Sequence, residues 1–318
     1  MKPRLVILSR GPELYSTKRL LEETEKAGWD VKIIDPLSLT IVIDKEGGKI
    51  FHQGWPVECE AVLPRIGYSI TRRGVAIVRQ FESREVIILN SSNGIMSSRD
   101  KLVACQMMSD NSVPVPITAH VGSWKDTVRA VSRVGGTPCV IKSTEGTHGY
   151  GVFLAKTDQQ ARQLVYQMLE RNMRPLVQEY IKESHGQDIR VLVVGGKVIA
   201  SMKRKANGNE FRSNFHLGGS VEDVIISEEQ KIIACLAAKT LGLDIAGVDM
   251  LISERGALIL EVNSSPGLEG IESSTGINIA EKVAEYLTFR YHDSLEVEIE
   301  DESEEITDSN SHKITSDS

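Results

Sequence analysis

The sequence predicts an α/β protein made of several lobes, and three observations carry that prediction. Over residues 1–92 short apolar runs alternate with helix-length segments, the order that builds a parallel sheet. Beyond residue 113 apolar strands come in pairs around glycine-rich turns, the order of antiparallel α+β lobes. At 318 residues the chain can bury two or three modest cores.

The run RLVILS at residues 4–9 reads as a buried strand, and Ser16 can cap a helix through Leu20, Leu21 and Glu25 to Gly28. Strands follow at 31–34, 61–63 and 86–89, with a helix at 74–82. Val113-Pro114-Val115-Pro116 marks a boundary, because each proline lacks an N–H and restricts the residue before it. The next lobe has strands at 117–121 and 139–143 around a helix at 125–134. A glycine-rich loop, Glu145 to Gly151, then turns into a strand at 152–155. Asp158 caps a helix to about residue 171, and 176–181 returns as a strand. In the last lobe 188–194 and 198–205 form a hairpin around Gly195-Gly196. A helix at 228–241 leads to strands at 247–252 and 257–262, expected to pair antiparallel, and a helix at 277–289 closes the fold. The expected divisions are 1–112, 113–185, 186–292 and a tail, 293–318.

Composition excludes several classes of function. The four cysteines lie far apart with no CxxC pair, and the seven histidines show no HxxxH spacing, so a thiol or imidazole metal cage is not expected. No apolar run approaches membrane-spanning length, and the N-terminus lacks the pattern of a secretory signal, so a cytoplasmic location is expected. The net charge of −7 comes from the end of the chain, where residues 293–318 hold ten acids against Lys313 alone. Residues 1–292 are close to neutral. Such an acidic, serine-rich tail predicts disorder, because it buries too little surface to offset ordering entropy.

Two constellations carry chemistry. Lys142 ends an apolar strand and feeds the loop with Gly146, Gly149 and Gly151, where missing Cβ atoms let backbone N–H groups close on phosphate oxygens. The spacing also fits a plain glycine hairpin, and no GK[ST] of a Walker loop follows. More specific are Asp249 in one apolar strand and Glu261 and Asn263 on one face of the next. Oxygen-bearing side chains inside such strands are costly without partners. Magnesium bridging nucleotide phosphates is a natural partner, and a buried hydrogen-bond network is the alternative. Between the two lies the strand end Gln178 to Ile181, whose backbone can meet an adenine edge, with Asp188 or Glu179 reaching ribose hydroxyls; a plain exposed strand end is the alternative. The basic group Lys203-Arg204-Lys205 with Arg212, Arg65, Arg72 and Arg73 suits a carboxylate-rich substrate, and a solvated charged face is the alternative.

The order of motifs then becomes diagnostic. It runs Ser98-Arg99-Asp100-Lys101, Val140-Ile141-Lys142, Glu145 to Gly151, Gln178-Glu179-Tyr180-Ile181-Lys182, Asp188-Ile189-Arg190, Phe211-Arg212-Ser213-Asn214, Gly247-Val248-Asp249 and EVNSSPGLEGI at 261–271. This series resembles the ATP-grasp superfamily, and within it the RimK family, which adds glutamates to the C-terminus of ribosomal protein S-six. LYSTKR at 14–19, Asp35-Pro36-Leu37 and Pro64-Arg65-Ile66-Gly67 extend the resemblance over nearly everything to about residue 290.

The resemblance implies an ATP-grasp fold behind an N-terminal α/β pre-ATP-grasp domain. It implies that Lys101 and Lys142 touch ATP phosphates under a lid carrying Gly146, Thr147, Gly149 and Gly151. Glu179, Tyr180 and Ile181 would face adenine and Asp188 the ribose, while Arg212, Ser213 and Asn214 would meet nucleotide or acyl phosphate. Asp249, Glu261 and Asn263 would hold two Mg2+ or Mn2+ ions, and Arg204 would act as the catalytic cation. The implied activity is ATP-dependent addition of L-glutamate to a ribosomal protein S-six tail or a glutamate peptide through an acyl phosphate, by a homo-oligomer (a tetramer) without direct nucleic-acid or membrane partners. Alternatives are another ATP-grasp amino-acid or cofactor ligase, and a non-catalytic ATP-binding regulatory module.

Overall fold

The computed structural model describes residues 1–84, 86–146, 151–208, 211 and 219–313, with side chains described to residue 296. The first lobe is organised around β1 (Arg4–Leu8), whose Leu5 to Leu8 are all buried because both faces of a central parallel strand are covered. α1 (Tyr15–Lys26) leads to β2 (Asp30–Ile34). β3 (Leu39–Asp44), β4 (Gly47–His52) and β5 (Trp55–Pro56) then make a separate antiparallel sheet that the sequence reading lacks. β6 (Ala61–Pro64), α2 (Thr71–Glu82) and β7 (Ile87–Ile88) complete a parallel sheet of order β2-β1-β6-β7, as the alternating pattern predicts. The chain winds away from β1 in both directions, so the carboxyl ends of β1 and β6 flank the crevice where open α/β sheets bind ligands. Ser16 does not cap α1. Leu14 occupies that position, and Ser16 Oγ accepts from the Leu268 N–H at 2.9 Å, tying the first lobe to the last.

Two helices follow, α3 (Ser92–Arg99) and α4 (Lys101–Asp110), started by Ser91 and Asp100 side chains that accept from backbone N–H groups. The second lobe holds β8 (Thr118–His120), α5 (Thr127–Arg133), β9 (Cys139–Ser143), β10 (Val152–Ala155), α6 (Asp158–Glu170) and β11 (Pro175–Glu179), in an antiparallel sheet of order β10-β9-β11-β8. Thr157, one residue before the expected Asp158, caps α6. The third lobe contains β12 (Gln187–Val194), β13 (Lys197–Lys205), β14 (Ser220–Asp223), α7 (Glu228–Thr240), β15 (Ile245–Ser253), β16 (Gly256–Asn263) and α8 (Glu269–Thr275). Its sheet has the order β14-β13-β12-β15-β16 and is antiparallel throughout, including the expected β12–β13 hairpin and β15–β16 pair.

One apolar core joins the first and third lobes: Leu5, Leu20 and Trp29 pack with Leu192, Met202 and Ile245 and with Ile279, Val283 and Leu287 of α9 (Ile279–Lys313). The helix of α9 runs on to Lys313, through most of the segment for which charge and low hydropathy predict disorder. Glutamate is also a good helix former, and packed turns have already met the nucleation cost, so each further residue adds at little penalty. Among the described residues no helix is long and apolar enough to cross a membrane.

The close seating of α3 gives a first prediction. A Cβ at Gly94 would lie 2.5 Å from the Gly242 carbonyl oxygen and 3.1 Å from that of Leu241, two backbone atoms that cannot swing aside. Gly94→Ala is expected to destabilise by about 1–3 kcal/mol, read as a lower urea midpoint at unchanged m. An unshifted midpoint would mean that α3 does not sit on this turn.

Candidate active site

The antiparallel pairing of the large sheet gathers ionisable side chains on one face. Alternation along each strand aligns Asp188 and Arg190 of β12, Arg204 of β13, Asp249 of β15, and Glu261 and Asn263 of β16. The register pairs Asp188 with Arg204, Arg190 with Asp249, Asp249 with Glu261, and Gly247 with Asn263. It slips by one residue just after Asp249, a bulge of the kind that re-aims side chains beside active sites. Gly247 is needed here because a Cβ would stand 2.8 Å from the Pro266 ring, so the segment after β16 can fold back across the sheet.

Asp249 sits in a clamp. Arg190 donates to both of its oxygens, Nε to Oδ1 at 2.7 Å and Nη2 to Oδ2 at 2.7 Å. Arg204 reaches the same carboxylate, Nη2 to Oδ2 at 2.9 Å, while holding Asp188 by two bonds of 2.6 and 2.5 Å. Asn263 Nδ2 lies 3.4 Å from Asp249 Oδ2. Burial alone would raise the Asp249 pKa, but Arg190 and Arg204 outweigh it and hold the carboxyl below its usual range. For Arg204 burial pulls the pKa down, and Asp249 and Asp188 more than reverse this, so the guanidinium stays charged.

Two lysines approach this sheet face, Lys142 from the second lobe and Lys101 from α4. Lys142, at the end of β9, is 4% exposed, and burial followed by the nearby Lys101 charge depresses its pKa against Cys105 and Glu261, which favour the charged form. Lys101, at the start of α4, donates from Nζ to the Gly146 carbonyl at 2.9 Å and lies 3.6 Å from Glu261 Oε1. One ammonium thus bridges the glycine loop and the acidic sheet face. Gly146 and Gly151 have φ of 137° and 78°, which suits glycine at both ends of the loop. Thr147 and Gly149 of that loop, and Arg212, Ser213 and Asn214, lie outside the described residues.

Between the lobes, Glu179 is engaged by its surroundings: Oε1 accepts from the Ile117 N–H at 2.6 Å and from Arg255 Nη2 at 2.5 Å. Its side chain is therefore a strut of the wall. Tyr180 and buried Ile181 follow where β11 has ended, and the Tyr180 hydroxyl meets His185 Nδ1. Asp188 is bound two-point by Arg204. Of the basic group read from the sequence, Arg204 and Arg65 stand at this site, whereas Lys205 pairs with Glu222 and Arg73 holds the Leu37 carbonyl.

Three buried side-chain atoms have no hydrogen-bond partner among the described residues: Arg99 Nε, Thr144 Oγ1 and Ser264 Oγ. Each lies one or two positions from Lys101, Lys142 or Asn263. Orphaned polar groups are rare in native interiors, and their concentration here fits a site that takes a polar ligand. The described residues hold no group of three or more His, Cys, Asp or Glu side chains that could cage a metal alone. Asp249, Glu261 and Asn263 offer two carboxylates and one amide, hard oxygens suited to Mg2+ or Mn2+ that also binds phosphate oxygens and water. To serve such an ion, Asp249 must give up part of its guanidinium contact.

Sequence reasoning missed Arg190 as a site residue, and also Arg99. Arg190 had the same signal that singled out Asp249, a charged residue inside an apolar strand, two places from Asp188.

Comparison with known proteins agrees with this geometry. Residues 98–287 match the RimK-like ATP-grasp domain family, and residues 3–95 match the RimK PreATP-grasp domain family. A probable alpha-L-glutamate ligase of Aeromonas salmonicida (strain A449) is 46% identical over 288 residues, covering 90% of this chain and 97% of the relative. A probable alpha-L-glutamate ligase 2 of Shewanella sp. (strain MR-4) is 47% identical over 285 residues, 89% of this chain and 95% of the relative. Among solved structures, the ATP-grasp ligase PsnB complexed with minimal precursor, Mg and ADP superposes with TM-score 0.70 at 20% identity, over 91% of this chain and 98% of that one. A RimK domain ATP-grasp protein from Sphaerobacter thermophilus DSM 20745 gives 0.69 at 18% identity, over 89% and 98%. At that identity the structural likeness speaks for the ATP-grasp fold.

Proposed function

The chain belongs to the RimK family of ATP-grasp ligases, and on that premise we propose that it joins the amino group of L-glutamate to a protein or peptide carboxylate, with the ribosomal protein S-six tail or a glutamate peptide as acceptor. The observation that carries the reading is the junction at which Lys101 touches both the glycine loop at Gly146 and the acidic sheet face at Glu261. A nucleotide held there has its phosphates between the lobes.

In this reading Lys101 and Lys142 bind the phosphates, and the backbone of Gly146, Thr147, Gly149 and Gly151 closes over them. Tyr180 and Ile181 border the base behind the strut of Glu179. Arg212, Ser213 and Asn214 contact the nucleotide or the acyl phosphate. Asp249, Glu261 and Asn263 would hold the two Mg2+ or Mn2+ ions, which would supply charge neutralisation at the phosphates. A carboxylate oxygen of the acceptor attacks the γ-phosphorus in line, ADP leaves, and an acyl phosphate remains. The glutamate amine then attacks the acyl carbon, the amide forms, and phosphate departs carrying the proton that the amine gives up. Arg204 faces the charge that develops in both steps, fixed in aim by its two bonds to Asp188. Asp188 thereby acts as the positioning residue for Arg204. Lobe closure excludes water, which would otherwise hydrolyse the acyl phosphate.

Mass spectrometry of an S-six carboxyl-terminal peptide incubated with the protein, ATP, Mg2+ and L-glutamate tests the proposal. The expected product series rises by one glutamate residue at a time, with one ADP released per addition. ADP release indifferent to glutamate and to the peptide would overturn it.

A further inference from the structure

Two arginines beside this face are used by none of the steps above. Arg65 follows directly on the carboxyl end of β6, at the crevice where the order of the first-lobe sheet reverses. Its Nη2 donates to the Pro266 carbonyl at 2.7 Å, the one hydrogen bond its guanidinium makes among the described residues. Arg99 ends α3, two residues before Lys101, and its Nη2 donates to the carbonyl of Ile66, the residue after Arg65, at 2.6 Å. Its Nε is buried and has no hydrogen-bond partner among the described residues.

Both guanidiniums are therefore pinned by one edge, next to each other, with donors left over and no ion pair to either among the described residues. Two cations driven together in a poorly hydrated crevice are unfavourable unless an anion joins them. Burial and the Arg99 charge push the Arg65 pKa down to about 10, and burial lowers that of Arg99 against the pull of Glu261. Glu261 is the nearby anion, and it already faces Lys101. A planar fork with free donors matches a carboxylate, which it can grip at two points.

We propose that Arg65 and Arg99 form a carboxylate-binding subsite at the switch point of the first-lobe sheet, which holds a non-reacting carboxylate of a substrate beside the phosphate site. This rests on the ligase reading above and adds to it the residues that recognise the substrate. The carboxylate is either the α-carboxylate of the glutamate donor or a side-chain carboxylate of the acceptor, and both are the same chemistry to the fork.

The test uses the full chain with Arg65→Met, Arg99→Met and Arg65→Lys, the last keeping a charge and a donor for Pro266 should the methionine variants fold poorly. KM is measured for L-glutamate and for the acceptor peptide, MgADP affinity by calorimetry, and discrimination by replacing glutamate with 4-aminobutyrate, which lacks the α-carboxylate. The expected result is a rise of about 10-fold or more in one substrate KM with MgADP affinity within about twofold, the size of losing a charge-assisted two-point contact. Arg65→Lys should fall between, because an ammonium cannot form the fork. If glutamate is the ligand, its KM rises and the preference over 4-aminobutyrate collapses. If the acceptor is, its KM rises and that preference stays. Unchanged KM for both substrates, or MgADP affinity falling in step, overturns the subsite. Wild-type protein that releases no ADP in response to glutamate refutes the ligase reading separately. Calorimetric titration with L-glutamate and with the acceptor peptide then decides the subsite alone: binding of one of them weakened in Arg65→Lys and lost in Arg65→Met supports it, and binding of neither to wild type, or equal binding by the variants, overturns it.

Discussion

Arg204→Lys is expected to lower kcat by about 10²–10³-fold while leaving the KM for ATP within a few-fold. The guanidinium makes three contacts of 2.5 to 2.9 Å with Asp188 and Asp249, and an ammonium cannot reproduce that planar set. The charge survives but its aim is lost, so the loss should fall on the step in which charge develops. Arg204→Met should add a folding defect of about 3–5 kcal/mol, since it leaves Asp188 without its two-point partner and Asp249 with Arg190 alone. Arg204→Lys turning over within about threefold of wild type would show that Arg204 is only a structural tie.

Asp249→Asn should abolish turnover by a similar factor, and its effect on stability should depend on pH in a definite direction. Because Arg190 and Arg204 hold the folded-state pKa of Asp249 below the unfolded value of about 3.9, the carboxylate contributes stability that is fully present above that value. The contribution is lost as pH falls through the folded pKa. The gap between wild type and Asp249→Asn in urea unfolding is therefore expected to be widest and flat from pH 5 to 7 and to close in more acidic solution, where wild-type Asp249 also becomes neutral. A gap that widens in acid would contradict the clamp. Two arginines left facing an amide make the variant costly, of order 3–5 kcal/mol at neutral pH. Its nucleotide affinity should be compared with that of Glu261→Gln, whose position is partly exposed and less burdened by packing.

Much of the fold was legible because its signals are local. Gly195-Gly196 between two apolar runs gives the β12–β13 hairpin, and Asp249, Glu261 and Asn263 stand out as oxygen donors inside apolar strands that the structure does pair. α3 was missed because SNGIMSSR has almost no apolar periodicity; its helix depends on the Ser91 cap and on packing against the Gly242 turn. The β3–β4 hairpin did leave a signal, alternating Leu39, Ile41 and Ile43 before a glycine turn, that the reading passed over. At the site, individual donors could be read but their pairings could not. Asp188 meets Arg204 only through the register of β12 with β13, and Arg190 meets Asp249 only across β12 and β15. Arg65 and Arg99 come together through the meeting of β6 with α3, which no single segment encodes.

In the proposed complex nucleotide phosphates lie between Lys101 and Lys142 on one side and the oxygens of Asp249, Glu261 and Asn263 on the other. A crystal structure with Mn2+ and a non-hydrolysable ATP analogue, with manganese located by its anomalous signal, tests it most directly. Manganese is expected on Glu261 and Asn263, with Asp249 released from part of its guanidinium clamp and the terminal phosphates against both lysines. Manganese elsewhere, or a nucleotide seated instead in the hollow lined by Trp124, Arg162 and Tyr166, would contradict it.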